Sequence, residues 1–123
     1  MLDLNFRAIT GQLEAGIAGV KAVLMIAPDG SIRDHLAVDP RFDIEIFASE
    51  YATLLIIARR TSEDMGSGNL LEHVLISDRS LTVARRVSVD FYLVVVARVQ
   101  EPLGKVRYEV KRAAHRLEKS LRV

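Results

Sequence analysis

The sequence predicts an α/β sandwich, a five-stranded antiparallel sheet with helices on both faces, in the order α-β-β-α-β-β-β-α. Three observations predict it. Two short segments, Ala22 to Ala27 and Phe91 to Ala97, are apolar at every position, as strands covered on both faces must be. The two ends of the chain carry apolar residues at helical spacing. The strand-like segments after residue 70 follow one another so closely that only antiparallel hairpins can join them.

Each element has its own signal. Leu2, Phe6, Ile9, Leu13 and Ile17 form one stripe of an amphipathic helix, ended by Gly16 and Gly19. The first strand, Ala22 to Ala27, runs into Pro28-Asp29-Gly30-Ser31. That is a turn, because proline presets φ and glycine supplies a positive one. Ser31 to Ala37 returns as a more polar edge strand. Asp39-Pro40 predicts the start of a second helix reaching about Arg60, with the aspartate as cap and the proline at the first position. Met65-Gly66-Ser67-Gly68-Asn69 is a loop. Strands follow over Leu70 to Ser77, Leu81 to Arg86 and Asp90 to Val99, with Asp78-Arg79-Ser80 as the first turn between them. Pro102 precedes a last helix, Leu103 to about Leu121.

Composition narrows the function. At 123 residues the expectation is one domain over 1–123. The absence of cysteine excludes disulfides, thiol catalysis and cysteine-held metals. A net charge of +1 gives no global field for nucleic acid or a membrane. Asp3 and Glu14 interrupt any signal-peptide core, and no apolar run approaches the roughly 18 residues of a membrane span. A soluble, cytoplasmic protein is expected, with no nucleic-acid partner and no membrane contact.

The register of these signals resembles the Roadblock family, the dynein-light-chain type of domain. The residues that carry it are the amphipathic start and Gly19-Val20-Lys21-Ala22-Val23-Leu24 leading into Pro28-Asp29-Gly30. The apolar, alanine-containing second helix, Gly66-Ser67-Gly68 before the third strand, and Pro102-Leu103-Gly104 complete it. Asp34-His35 and the bulky Leu54-Leu55-Ile56-Ile57 depart from the pattern. The resemblance implies a profilin-like three-layer sandwich with strand order 2-1-5-4-3. It also implies a dimer in which second helices pair and third strands meet as one ten-stranded sheet. Bacterial and archaeal relatives are commonly partners of small Ras-like GTPases. Some stimulate hydrolysis by reordering the GTPase's own catalytic residues, and others are scaffolds.

No catalytic constellation is visible, and no cofactor or metal is expected. His35, His73 and His115 have no metal-binding spacing. Gly66-Ser67-Gly68 lacks the lysine of a phosphate loop, and Glu63-Asp64 reads as a solvated helix end. Arg85 and Arg86 lie at a strand end where a finger could sit, but the relatives' activators supply none. No catalytic residue is assigned.

The second helix carries too many apolar residues for one sheet to cover. Ile44, Phe47, Tyr51, Leu54, Leu55 and Ala58 form the sheet-facing side at helical period. Ile46 and Ile57 point to one flank, and Phe42 and Ile56 lie nearly opposite. Leaving such side chains in water forgoes roughly 1.5–3 kcal/mol each. Covering loops, or a strand over Thr53 to Ala58, would also account for them; the expectation adopted is an interface. A homodimer would use Phe42, Ile46, Glu50, Thr53 and Ile57, with Leu71, His73 and Leu75 of the third strand pairing edge to edge. Glu45, Ser49, Ala52, Ile56, Arg59 and Arg60 would line the outward side, where the resemblance implies that a GTPase docks.

In the last helix Leu103, Val106, Val110, Ala114, Leu117 and Leu121 form a buried stripe, with Lys105, Arg112, Arg116 and Lys119 opposite. Charge on the outer face of a helix is ordinarily solvation; the expectation carried beside it is that those four could form a secondary basic surface for an acidic partner or anionic lipid. The functional expectation is a homodimeric regulator of a small Ras-like GTPase that binds the GTP form and has no active site of its own. The alternative is a nucleotide-blind dimeric scaffold for a signalling or motor complex. A small-ligand sensor would have only Glu72 and His73 as polar strand residues to use.

Overall fold

Strands that are apolar on both faces belong in the middle of a sheet. In the computed structural model, which describes residues 3–89 and 91–121, that is where they lie. The elements are α1 (Asp3–Gly16), β1 (Val20–Ile26), β2 (Ile32–Ala37), α2 (Ile44–Asp64), β3 (Glu72–Ile76), β4 (Ser80–Ser88), β5 (Phe91–Arg98) and α3 (Leu103–Leu121). The sheet order is β2-β1-β5-β4-β3, antiparallel throughout, with Leu24 opposite Val94 and Val94 opposite Ala84. The expectations for Leu2, Asp90 and the side chain of Leu121 lie outside the described residues.

Successive side chains along a strand point to opposite faces, so β1 and β5 divide between two cores. Val23, Met25, Leu93 and Val95 pack with Phe6, Ile9, Leu13 and Ile17 of the N-terminal segment and Val106, Val110 and Leu117 of α3. Leu24, Ile26, Tyr92, Val94 and Val96 pack with Ala48, Tyr51, Ala52 and Leu55 of α2. The first core is the larger, because two helices cover that face. The edge strands β2 and β3 contain no fully buried residue, as strands at the rim of a sheet allow.

Two boundaries of α2 differ from expectation. Asp39 and Pro40 do not begin the helix. They form a separate turn in which the Asp39 carbonyl accepts from Phe42 N–H at 3.0 Å. The cap is Asp43, with an extended backbone (φ −82°, ψ 92°) and a carboxylate that accepts from Ile46 N–H at 3.0 Å. At the other end the helix passes Arg60 and runs to Asp64. No residue before Met65 breaks it, and Gly66, with φ +73°, turns the chain away.

The turn between β1 and β2 holds α2 close to the sheet. Asp29 Oδ1 accepts from the N–H and hydroxyl of Ser31 at 2.9 and 2.7 Å, which lowers the Asp29 pKa. Gly30 has φ +93°, and a Cβ there would meet the Ala52 Cβ at 3.3 Å. The positive φ favours glycine, and a side chain there would also crowd Ala52 and Ile56.

Candidate protein interface

The core accounts for only part of the apolar surface of α2. Ala48, Tyr51, Ala52 and Leu55 are buried against the sheet. Ile46, Leu54 and Ile57 are 65%, 40% and 55% exposed. At helical spacing these three lie on one flank, with Glu50, Thr53 and Thr61 beside them. That flank faces the β3 edge, because Tyr51 of α2 reaches His73 of β3 and Phe42, Phe47 and Leu75 line one cavity. On β3, Leu71 precedes the strand and Leu75 lies within it, 53% and 38% exposed. The apolar surface therefore runs from the helix onto an edge strand.

The contact between the two elements is polar and partly buried. Tyr51 Oη and His73 Nδ1 are 2.7 Å apart. Burial pushes the Tyr51 pKa above its ordinary value and the His73 pKa below its own. The neutral imidazole is favoured there, and the tautomer sets which of the phenol and Nδ1 donates the hydrogen bond. Phe47 stacks on Tyr51 with ring centroids 5.2 Å apart, and Phe42 tilts against Phe47 at 5.4 Å.

Of the residues expected in a dimer contact, Ile46, Glu50, Thr53, Ile57, Leu71 and Leu75 are exposed and His73 is half-buried. Phe42 differs. It precedes the helix and is half-buried by Phe47 rather than standing away from the sheet.

The outward side is less regular than expected. Glu45, Ser49 and Arg60 are exposed. Ala52 is not available to a partner, because it is 7% exposed and lies under the helix against the β1–β2 turn. Ile56 is half-buried over the same turn, its Cδ1 lying 3.4 Å from where a Cβ on Gly30 would be. Arg59 donates to the Pro28 carbonyl at 3.2 Å and pairs with Glu63 at 3.5 Å. It fastens α2 to the turn. Leu54, expected on the sheet, lies instead on the exposed flank with Ile46 and Ile57. The pair Ala48 and Ala52, four residues apart, was the available signal: small side chains on one stripe let a helix approach closely.

The other candidates separate cleanly. Glu72 and His73 face opposite sides of the sheet. Glu72 pairs with Arg107 of α3 at 2.7 Å and Arg85 at 3.9 Å, whereas His73 turns to α2. They do not converge on a ligand. Lys105, Arg112, Arg116 and Lys119 are exposed on α3, with Arg116 hydrogen-bonded to Gln12. Among the described residues no three histidines or acids are grouped to hold a metal, and no helix is long and apolar enough to cross a membrane.

No protein-family model matches the sequence, and no curated protein matches it. Solved structures do. Myxococcus xanthus MglB is 19% identical with a TM-score of 0.81, over 94% of this chain and 93% of that one. A Roadblock/LC7 domain from Streptomyces avermitilis is 16% identical with a TM-score of 0.77, over 93% and 94%. MglC from Myxococcus xanthus is 28% identical with a TM-score of 0.68, over 94% and 98%. With the strand order β2-β1-β5-β4-β3 and helices on both faces, this chain has the Roadblock/LC7 fold.

Proposed function

We propose that this protein is a homodimeric regulator of a small Ras-like GTPase. The observation that carries the reading is the apolar flank of α2 continuing onto the unpaired edge of β3, on a Roadblock fold. One surface solves two problems. Pairing two copies would cover Ile46, Leu54 and Ile57 and would join two β3 edges, removing an exposed row of backbone donors and acceptors. The joined sheets would present two α2 helices side by side.

The outward side of that helix pair is the proposed docking site. Glu45, Ser49, Ile56 and Arg60 give it an apolar centre with charges of both signs, which suits a reversible contact. Arg59 and Ala52 shape the helix from beneath. No side chain of the regulator is assigned to the chemistry. It would act by holding the GTPase's switch segments in their GTP-bound arrangement, so that the partner's own catalytic groups are placed. A binder of this kind prefers one nucleotide state because only that state presents the matching surface.

The test is affinity capture from native extract with GDP or with a non-hydrolysable GTP analogue. A small GTPase enriched only with the analogue supports the reading. Identical partners in both arms, with no GTPase among them, would replace it with a nucleotide-blind scaffold.

A further inference from the structure

A second surface lies on the other side of the sheet, away from α2. The end of β4 and one stripe of α3 enclose a groove of about 410 Å³, within the roughly 300–1,000 Å³ range of ligand-accepting clefts. Its floor is apolar: Val87 and Ala114 are both 3% exposed. Its walls are cationic. Arg85 comes from β4, and Lys111, Arg112 and His115 from α3; Arg86 borders the groove, but its charge lies beside Tyr92, Arg59 and Glu63 on the α2 side. Tyr108, Lys111, Arg112 and His115 are spaced i, i+3, i+4 and i+7, so they share one helix face.

The charge in this groove is mostly unanswered. Arg85 is held by Glu72. Among the described residues Lys111 and Arg112 have no ion pair. The one acid in the lining, Glu118, is already engaged. Lys111 and Arg112 are therefore two adjacent cations that no carboxylate of the groove answers, in a chain whose overall charge is only +1. Tyr108 stands at the rim, 60% exposed, with its ring available for contact.

We propose that this groove binds an acidic peptide segment of a partner protein, one carrying an aliphatic or aromatic residue between its carboxylates. Charge complementarity names the acid and the dry floor names the anchor. A bare phosphate would use the cations but has no use for Val87 and Ala114. A flat lipid surface would not enter a concave groove lined by two elements. None of the lining residues belongs to α2 or β3, so the groove stays separate from the dimer surface and would recruit a second partner while the first is bound.

The test is a random dodecapeptide display library panned in parallel on the wild type and on Lys111→Glu/Arg112→Glu. Both positions are exposed, and circular dichroism melts check that the variant remains folded. The expected result is enrichment of Asp/Glu flanking an apolar residue on the wild type only. The consensus peptide, measured by fluorescence anisotropy, should lose about tenfold or more in affinity for the variant. It should keep its affinity for the charge-matched control Lys105→Glu/Lys119→Glu. Three results would overturn the proposal: no acidic enrichment, equal loss in the control, or an all-acidic peptide binding as well as the anchored one. Cosedimentation with phosphatidylserine-containing vesicles that is lost in Lys111→Glu/Arg112→Glu, without peptide enrichment, would assign the groove to a membrane instead.

Discussion

Replacing Ile57 by aspartate should break the proposed dimer without unfolding the chain. Ile57 is 55% exposed in the single chain. Fully burying such a side chain is worth roughly 1.5–3 kcal/mol. About half of that, roughly 0.8–1.6 kcal/mol, is left for a partner to recover, and a two-fold contact counts it twice. Aspartate forfeits the gain and brings an unpaired carboxylate into a dry contact, at a cost at least as large. The total comes to about 3–6 kcal/mol, or two to four powers of ten in the dimer dissociation constant at 1.4 kcal/mol per decade. The fold should change by only about 0.5 kcal/mol, because the side chain is not in the core. Sedimentation equilibrium over a concentration series measures the first quantity, and urea unfolding of the monomer measures the second. A dissociation constant within threefold of wild type would refute the interface, and so would a wild type that remains monomeric at high concentration.

Three further outcomes follow from the same geometry. His73 is depressed below its ordinary pKa by burial, so the unfolded chain binds its proton first as pH falls. Its contribution is complete above the unfolded value of about 6.5 and is lost as pH falls towards the folded one. Urea midpoints at pH 7.5 and 5 should show this loss, and His73→Gln should reduce it. Gly30→Ala should cost about 1–3 kcal/mol, since φ is +93° and the new methyl meets Ala52 and Ile56; an unchanged urea midpoint would contradict the packing of that turn under α2. Leu55→Ala should cost about 2–5 kcal/mol in monomer stability, against less than about 1 kcal/mol for Leu54→Ala. Equal losses in thermal or urea unfolding would restore the sheet face read from the sequence, on which Leu54 and Leu55 both lie.

The central strands were legible because a short run that is apolar at every position needs cover on both faces, and the middle of a sheet supplies it; Leu24 and Val94 do lie side by side there. The start of α2 was not, since Asp39-Pro40 and Asp43 are both sound capping signals and only the backbone turn at Asp39 decides between them. The rotation of α2 was misjudged by one stripe. Counting hydrophobicity favours Leu54 for the sheet, whereas close packing over Gly30 favours Ala52. Exposed Ile46 and Ile57 were legible as a surplus that one sheet could not absorb. The basic groove was only partly so. Arg85 stands far from Lys111 and His115 in the chain, and the packing of α3 on the sheet brings them together.

The measurement that tests the functional account most directly is the affinity of the captured GTPase, loaded with the GTP analogue, for wild type and for Glu45→Lys/Arg60→Glu. Both residues are exposed on the outward side of α2, so the dimer and the fold should survive. Ile56 is less suitable, because it also supports the β1–β2 turn. The account predicts at least about a tenfold loss of affinity with the dimer intact. An unchanged affinity in a folded, dimeric variant would contradict it.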